Sequence, residues 1–261
     1  MNSNAATPKK HTVVIVGGGA AGISVAASLH RRDHSLDLAV IEPASVHHYQ
    51  PGWTLVGGGV FREEITARPM STVMPDFVQW YRQAVQALDP DQHRVQLSDG
   101  RWLAYDILVL APGLELNWGA IDGLEATLGQ NGVTSNYQQG LARYTWDLVQ
   151  QLRQGRALFS QPPMPIKCAG APQKAMYLSC DHWRRQGVLG NIDVQFHNAG
   201  AVLFGVAAYV PALEAYVRRY GIDLNFQSNL VAVNGPARTA TFRHTDAEGN
   251  SQDREVTFDL L

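Results

Sequence analysis

The chain has 261 residues, 45% of them hydrophobic and 17% charged, with a formal net charge of −2. That length buries a core without disulfide staples, and the near-neutral balance gives no basic field for nucleic acid. Two cysteines without a CxxC pair and nine scattered histidines show no metal-ligand spacing, so no metal is expected. The start, MNSNAATPKK, is polar and lacks the apolar stretch of a secretory signal. No apolar run reaches the roughly 18 residues that span a bilayer, which leaves a cytoplasmic chain or one in peripheral contact with a membrane.

In chain order, Thr12 to Val16 (TVVIV) is a β-branched run suited to a strand buried on both faces. It enters Gly17-Gly18-Gly19-Ala20-Ala21-Gly22, a GxGxxG sequence. A helix from Ala20 to Arg32 follows, then a strand from Leu36 to Ile41 that ends at Glu42. Strand, glycine fingerprint, helix, strand and acid in this order predict a dinucleotide-binding unit. Gly17 permits the tight turn, and Gly19 lets backbone approach a pyrophosphate. Gly22 lets helix and strand pack closely. The helix N-terminus, at Ala20 and Ala21, meets the negative charge. Glu42 offers a carboxylate to a ribose 2′-hydroxyl and repels a 2′-phosphate.

Strands are expected at Arg94–Leu97 and Trp102–Leu110, around the turn Ser98-Asp99-Gly100. The second runs into Ala111-Pro112-Gly113, where small residues let backbone pass close to a cofactor. This ending resembles the second signature of FAD-binding domains in disulfide-reductase-like flavoproteins, with proline in place of the usual threonine. The second half repeats the order. A strand is expected at Arg156–Ser160, a helix at about Pro172–Arg185, a strand at Ile192–Phe196 and a helix at Ala208–Tyr220. Shorter β-like runs follow at Ile222–Phe226, Leu230–Val233 and Thr239–Arg243. Residues 256–261 (VTFDLL) match residues 103–108 (LAYDIL) in type. The pattern predicts an α/β protein of two tandem Rossmann-like domains, 11–150 and 151–261. The duplication stops part-way along the last strand, so part of the architecture is expected beyond Leu261.

The loop after the Arg156–Ser160 strand lacks a second GxGxxG. It reads Pro165-Ile166-Lys167-Cys168-Ala169-Gly170-Ala171-Pro172, and the next strand ends at Asn198 without a carboxylate. Nicotinamide binding is disfavoured on both counts. Cys168 falls just before a helix N-terminus, beside Lys167 and near Lys174, a setting that favours a thiolate; the alternative is a small buried cysteine beside a turn. Cys180 forms an i, i+4, i+7 stripe with Met176 and Trp183 and reads as core, too far along the helix to pair with Cys168.

The segments "VIVGGGAAGISVA", "VIEPASVHHYQPGWTLVGGG", "YDILVLAPG", "SNY" and above all "PIKCAGAPQKAMYL" resemble sulfide:quinone oxidoreductases over essentially residues 11 to 261. The resemblance implies FAD on the first domain, held at Gly17, Gly19, Ala20, Ala21, Gly22, Glu42, Ala111 and Gly113, with further contacts from Gln50 and Val85. It implies that Cys168 is one of two redox cysteines and that sulfide opens a sulfur bridge there. Two electrons then pass to FAD and on to a quinone, and the persulfide sulfur leaves to a thiol acceptor. The partner cysteine, the quinone pocket and the membrane-docking helices would lie beyond Leu261. These residues are then an N-terminal portion, inactive alone and peripheral on an inner membrane when complete. Two other readings remain, a flavocytochrome-type sulfide dehydrogenase or related flavoprotein, and a non-catalytic flavin-binding remnant.

Overall fold

In the computed structural model, which describes residues 7–261, the first strand is β1 (Lys9–Val16) and the helix after it is α1 (Ala20–Arg32). There follow β2 (Leu38–Ile41), β3 (Val46–His48), β4 (Ala67–Pro69), β5 (Gln79–Tyr81), β6 (Val85–Asp89), β7 (Arg94–Leu97) and β8 (Trp102–Leu110). The sheet order is β5-β2-β1-β8-β7-β6, parallel through β8 and antiparallel through β7 and β6. β1 is buried on both faces, as its β-branched run requires. Val13 and Ile15 pack with Ala26 of α1, while Val14 packs with Val95, Leu97 and Leu103. β2 begins at Leu38, two residues later than expected. Asp37 is held outside the strand, where its carboxylate meets His11 Nδ1 at 3.0 Å. The other ring nitrogen of His11 meets the Tyr81 hydroxyl at 2.8 Å.

Residues 7–49 and 65–115 form one compact unit, and residues 50–64 with 116–261 form the other. The boundary expected at 150/151 therefore falls elsewhere, and the reason is visible in the glycines of the second unit. There α2 (Trp53–Gly57) precedes α3 (Leu124–Thr127) and α4 (Leu141–Gln151). Next come β9 (Gly155–Gln161), α5 (Ala171–Arg185), β10 (Ile192–Asn198) and α6 (Val210–Tyr220). A Cβ added at Gly57 would strike Asn136, one at Gly58 Leu178 and one at Gly59 Trp146. Three bare glycines thus let this backbone lie directly on α4, α5 and the 136 segment. Gln50, expected in the first domain, goes with it.

The second unit continues with β11 (Asp223–Phe226), β12 (Ser228–Asn234), β13 (Thr239–Thr245) and β14 (Ser251–Thr257). Its parallel sheet has the order β11-β10-β9, and β12, β13 and β14 form an antiparallel meander. Ala157 and Phe159 of β9 face the Met176, Cys180 and Trp183 side of α5, while Leu158 faces Phe242, Val256 and Phe258 of the meander side. This is the two-faced alternation of β1. Past β14 the chain comes alongside β9, with Leu260 bridging Ala157 in parallel as Ile107 pairs with Val13 in the first unit. The duplication read from residues 103–108 and 256–261 is thus present in the pairing itself.

Candidate functional site

Two loops, one after each leading strand, carry most of the expected site. In the first unit Gly17 has φ +100, and a Cβ there would run into the Ala111 carbonyl. A Cβ on Gly22 would strike the Gly17 carbonyl. Neither position admits a side chain. Gly19, by contrast, has no heavy atom within 4 Å of where its Cβ would stand, so the backbone there borders open space. Gly19 is also the N-cap of α1 and offers no side-chain acceptor, leaving the first-turn N–H groups at Ala20 and Ala21 for an anion.

Glu42 stands at the end of β2. Its Oε2 accepts from Gly18 N (2.8 Å) and its Oε1 from Ala44 N (2.7 Å). A carboxylate has about four lone-pair sites, so two remain for a ribose hydroxyl. Ala111 continues the β8 ladder by donating its N–H to Val16 O (2.8 Å), and Gly113 (φ +86) is exposed with nothing near its Cβ position. Val85 is half-buried at the start of β6, beside an irregularity in its pairing with β7. The structure thus gathers Gly17, Gly19, Ala20, Ala21, Gly22, Glu42, Ala111 and Gly113 at the carboxyl ends of β1, β2 and β8, where open α/β sheets take ligands. Gln50 is half-buried in the other unit.

The register of the second unit shows what replaces this cradle. Val13 pairs with Leu38 in the first unit, and Ala157 pairs with Val194 in the second. Counting on from these partners, Gln161 takes the place of Gly17 and Asn198 that of Glu42. Gln161 and Asn198 are both buried. Asn198 spends its amide locally, Oδ1 accepting from Gly200 N (2.8 Å) and Nδ2 donating to Val202 O (2.9 Å). A side chain with no charge to offer thus stands at each point where the first unit has a bare turn or a carboxylate with lone pairs to spare.

Cys168 lies in the loop between β9 and α5, exposed, with φ +91. That left-handed conformation costs a non-glycine residue about 1–2 kcal/mol. Both peptide planes beside its Cα are hydrogen-bonded. The Lys167 carbonyl accepts from the Tyr137 hydroxyl (2.6 Å), and the Cys168 carbonyl accepts from Ala171 N (2.8 Å) at the start of α5. The Lys167 ammonium sits 5.6 Å from the centre of the Tyr137 ring. Burial, with a smaller contribution from the nearby Cys168 charge, pushes the Tyr137 phenol up to about 12, so it remains a donor at neutral pH. Tyr137 was missed by sequence reasoning because it is thirty positions away from Lys167; its only signal was the "SNY" segment.

Cys180 is fully buried against Met176 and Trp183, and burial followed by the neighbouring Asp181 charge pushes its thiol up to about 12. Both cysteines are free thiols. A cavity of about 550 Å³ between α3 and the meander is lined by Asp122, Thr127, Asn131 and Glu255 among others, and contains none of the expected site residues. Among the described residues no three His, Cys, Asp or Glu side chains gather as a metal cluster. No described helix is long and apolar enough to cross a membrane.

Residues 11–162, more than half of the chain, match the family described as pyridine nucleotide-disulphide oxidoreductase. The chain belongs to that family. It is a family of FAD-binding oxidoreductases, and the bare turn, open helix N-terminus and acid of the first unit fit a dinucleotide of that kind. Within it, the chain is similar to mitochondrial sulfide:quinone oxidoreductases. It is 37% identical over 251 residues to that of Dictyostelium discoideum, covering 95% of this chain and 54% of the relative. It is 36% identical to that of Mus musculus, covering 94% of this chain and 55% of the relative. The crystal structure of the sulfide:quinone oxidoreductase from Aquifex aeolicus superposes with a TM-score of 0.77 at 22% identity, over 96% of this chain and 57% of that one, a likeness of fold. The chain therefore spans about half the length of the curated relatives it matches.

Proposed function

We propose that this chain supplies the FAD cradle and one redox cysteine of an enzyme that oxidises sulfide to persulfide sulfur and passes the electrons to a quinone. The observation that carries the reading is Cys168, an exposed thiol held in a left-handed turn where the duplicated fold would otherwise repeat its nucleotide loop. Relatives bearing the name sulfide:quinone oxidoreductase support it along nearly the whole chain.

In this reading Gly17, Gly19 and Gly22 shape the cradle, and the α1 N-terminus at Ala20 and Ala21 holds the pyrophosphate. Glu42 fixes the loop through Gly18 N and keeps lone pairs for the ribose. Ala111 and Gly113 close the cradle without side chains, and Val85 and Gln50 add contacts to the cofactor. FAD, when bound, supplies a two-electron acceptor. In the oxidised enzyme Cys168 is bridged to a second redox cysteine; sulfide breaks that sulfur–sulfur bond, leaving a persulfide on one sulfur and a thiolate carrying the electron pair on the other, so the electron donor needs no nucleotide site of its own. Gln161 and Asn198 leave no turn for a pyrophosphate and no acid for a ribose in the second unit. The complete protein meets its quinone peripherally at a membrane and hands its sulfur to a thiol.

Quinone reduction by the complete FAD-loaded protein, with sulfide and with NADH as alternative donors, tests this. Sulfide should drive turnover and NADH should not. NADH-driven turnover at a rate matching or exceeding that with sulfide would remove the reading.

A further inference from the structure

The sequence marks Cys168 as reactive, but nothing in its own neighbourhood explains why a cysteine rather than a glycine sits at φ +91. The answer lies in the two peptide planes beside its Cα. The plane between Lys167 and Cys168 sets φ, and its carbonyl accepts a 2.6 Å hydrogen bond from the Tyr137 hydroxyl. The plane between Cys168 and Ala169 sets ψ, and its carbonyl accepts from Ala171 N at 2.8 Å. The second bond is local and belongs to the start of α5. The first is the long-range one, donated from a segment thirty positions earlier in the chain.

Released from Tyr137, the Lys167–Cys168 peptide is free to rotate and relieve the positive φ, carrying the sulfur to a new direction. We propose that Tyr137 is the positioning residue for Cys168: by holding the Lys167 carbonyl, its hydroxyl keeps the cysteine in the left-handed conformation that aims its sulfur. This rests on the reading of Cys168 as the sulfide-reactive sulfur for its functional meaning, but not for its geometry. Lys167 supports the same arrangement, its ammonium lying over the Tyr137 ring at 5.6 Å from the centre. The phenol, raised to about 12, holds its proton and hence the bond throughout the working range of the enzyme.

The test combines a stability cycle with a kinetic readout in the complete FAD-loaded protein. Cys168→Gly should raise Tm in the Tyr137 background, because glycine takes φ +91 without strain. In the Tyr137→Phe background, where the peptide has already relaxed, that gain should shrink to less than about half. An equal gain in both backgrounds would overturn the proposal. Tyr137→Phe alone should slow sulfide-dependent flavin reduction by about tenfold or more with flavin content unchanged, a loss of orientation. Alkylation of buried Cys180 reports whether each variant is folded. Should Tyr137→Phe expose Cys180, 2,3,5-trifluorotyrosine at position 137 decides instead. It keeps the shape but is far more acidic than tyrosine, so flavin reduction should fall as pH climbs through the phenol's titration, itself raised by burial at this position. A profile parallel to that of the unmodified protein would overturn the proposal. A coupled Tm cycle with sulfide reactivity that survives Cys168→Ser would uphold the positioning and remove the sulfide reading instead.

Discussion

The β1–α1 and β9–α5 turns occupy the same place in duplicated scaffolds and have opposite chemistry. In the first, every close approach is made by a missing side chain: Gly17 against Ala111, Gly22 against Gly17, and Gly19 facing open space. In the second, Gln161 and Asn198 fill the corresponding strand ends, and a cysteine is presented ahead of the helix. The strand order, the two-faced burial of the leading strand and the parallel return beside it are common to both. On the proposed function, the fold sets only where a reacting group stands, and a few residues at the strand ends decide whether that group is a nucleotide or a sulfur.

The largest expected effect on flavin binding breaks the first turn without touching the second. Gly17→Ala puts a Cβ at φ +100 against the Ala111 carbonyl, and Gly22→Ala puts one against the Gly17 carbonyl. Each should cost about 1–3 kcal/mol and lower bound flavin by roughly tenfold or more. Gln161→Gly, the matched change in the second unit, should leave flavin content within about twofold. Flavin-to-protein absorbance ratios of the purified variants check this. Equal losses in the two units would mean that the turns are not chemically distinct.

A second effect concerns the core of the second unit. His197 is buried against Phe242, its ring centroid 3.6 Å away, with Nδ1 2.9 Å from Ser228 Oγ, and burial lowers it to about 4. Below its ordinary value of about 6.5 the unfolded chain takes up a proton that the folded chain refuses. Stability should therefore fall as pH drops from about 6.5 to about 4, by at most about 3 kcal/mol, and level off below. Urea unfolding at several pH values should show this slope, and His197→Phe should flatten it.

The two cysteines sharpen the comparison further. Cys180→Ser buries a hydroxyl in the Met176 and Trp183 cluster and should cost about 1–3 kcal/mol. Cys168→Ser, at an exposed position, should leave stability nearly unchanged. Chemical denaturation of the two variants distinguishes them. With Cys180 raised to about 12, its contribution should also be lost as pH climbs above the ordinary thiol value toward that point.

What the sequence made legible was periodic or locally signalled. The β1–α1–β2 order followed from a β-branched run, spaced glycines and a terminal acid, and α1 has the bounds that its pattern implies. Cys180 was readable as core because its stripe is helical. Three features were not legible. The segment 50–64 joins the second unit through Trp53 and Val56, which pack with Ala142, and through glycines that approach by having no side chain; its helix of five residues is too short to show a period. Helix α6 begins at Val210, later than expected, because a 3-10 turn at Ala207–Tyr209 precedes Pro211. The Tyr137 bond depends on a contact between distant positions that no spacing encodes.

The smallest expected effect is at Glu42. Glu42→Gln keeps an oxygen for Gly18 N, now in a neutral bond, and turns its amide nitrogen toward the exposed Ala44 N, which loses its acceptor to water, at about 1–2 kcal/mol together. Flavin affinity should fall by a few fold, measured by fluorescence quenching on titration of the apoprotein. A loss as large as that of the glycine variants would show that the acid, rather than the bare turn, dominates the cradle.

The most direct test of the central claim is the rate at which sulfide bleaches the visible absorbance of the flavin bound to the complete protein, followed by rapid mixing without oxygen. Cys168→Ser should abolish that phase, by more than about a thousandfold, because the covalent route is gone. Cys180→Ser, in protein that remains folded and flavin-loaded, should retain most of it. Unchanged bleaching in Cys168→Ser, or its loss in folded Cys180→Ser, would contradict the assignment of the reactive sulfur to the second turn.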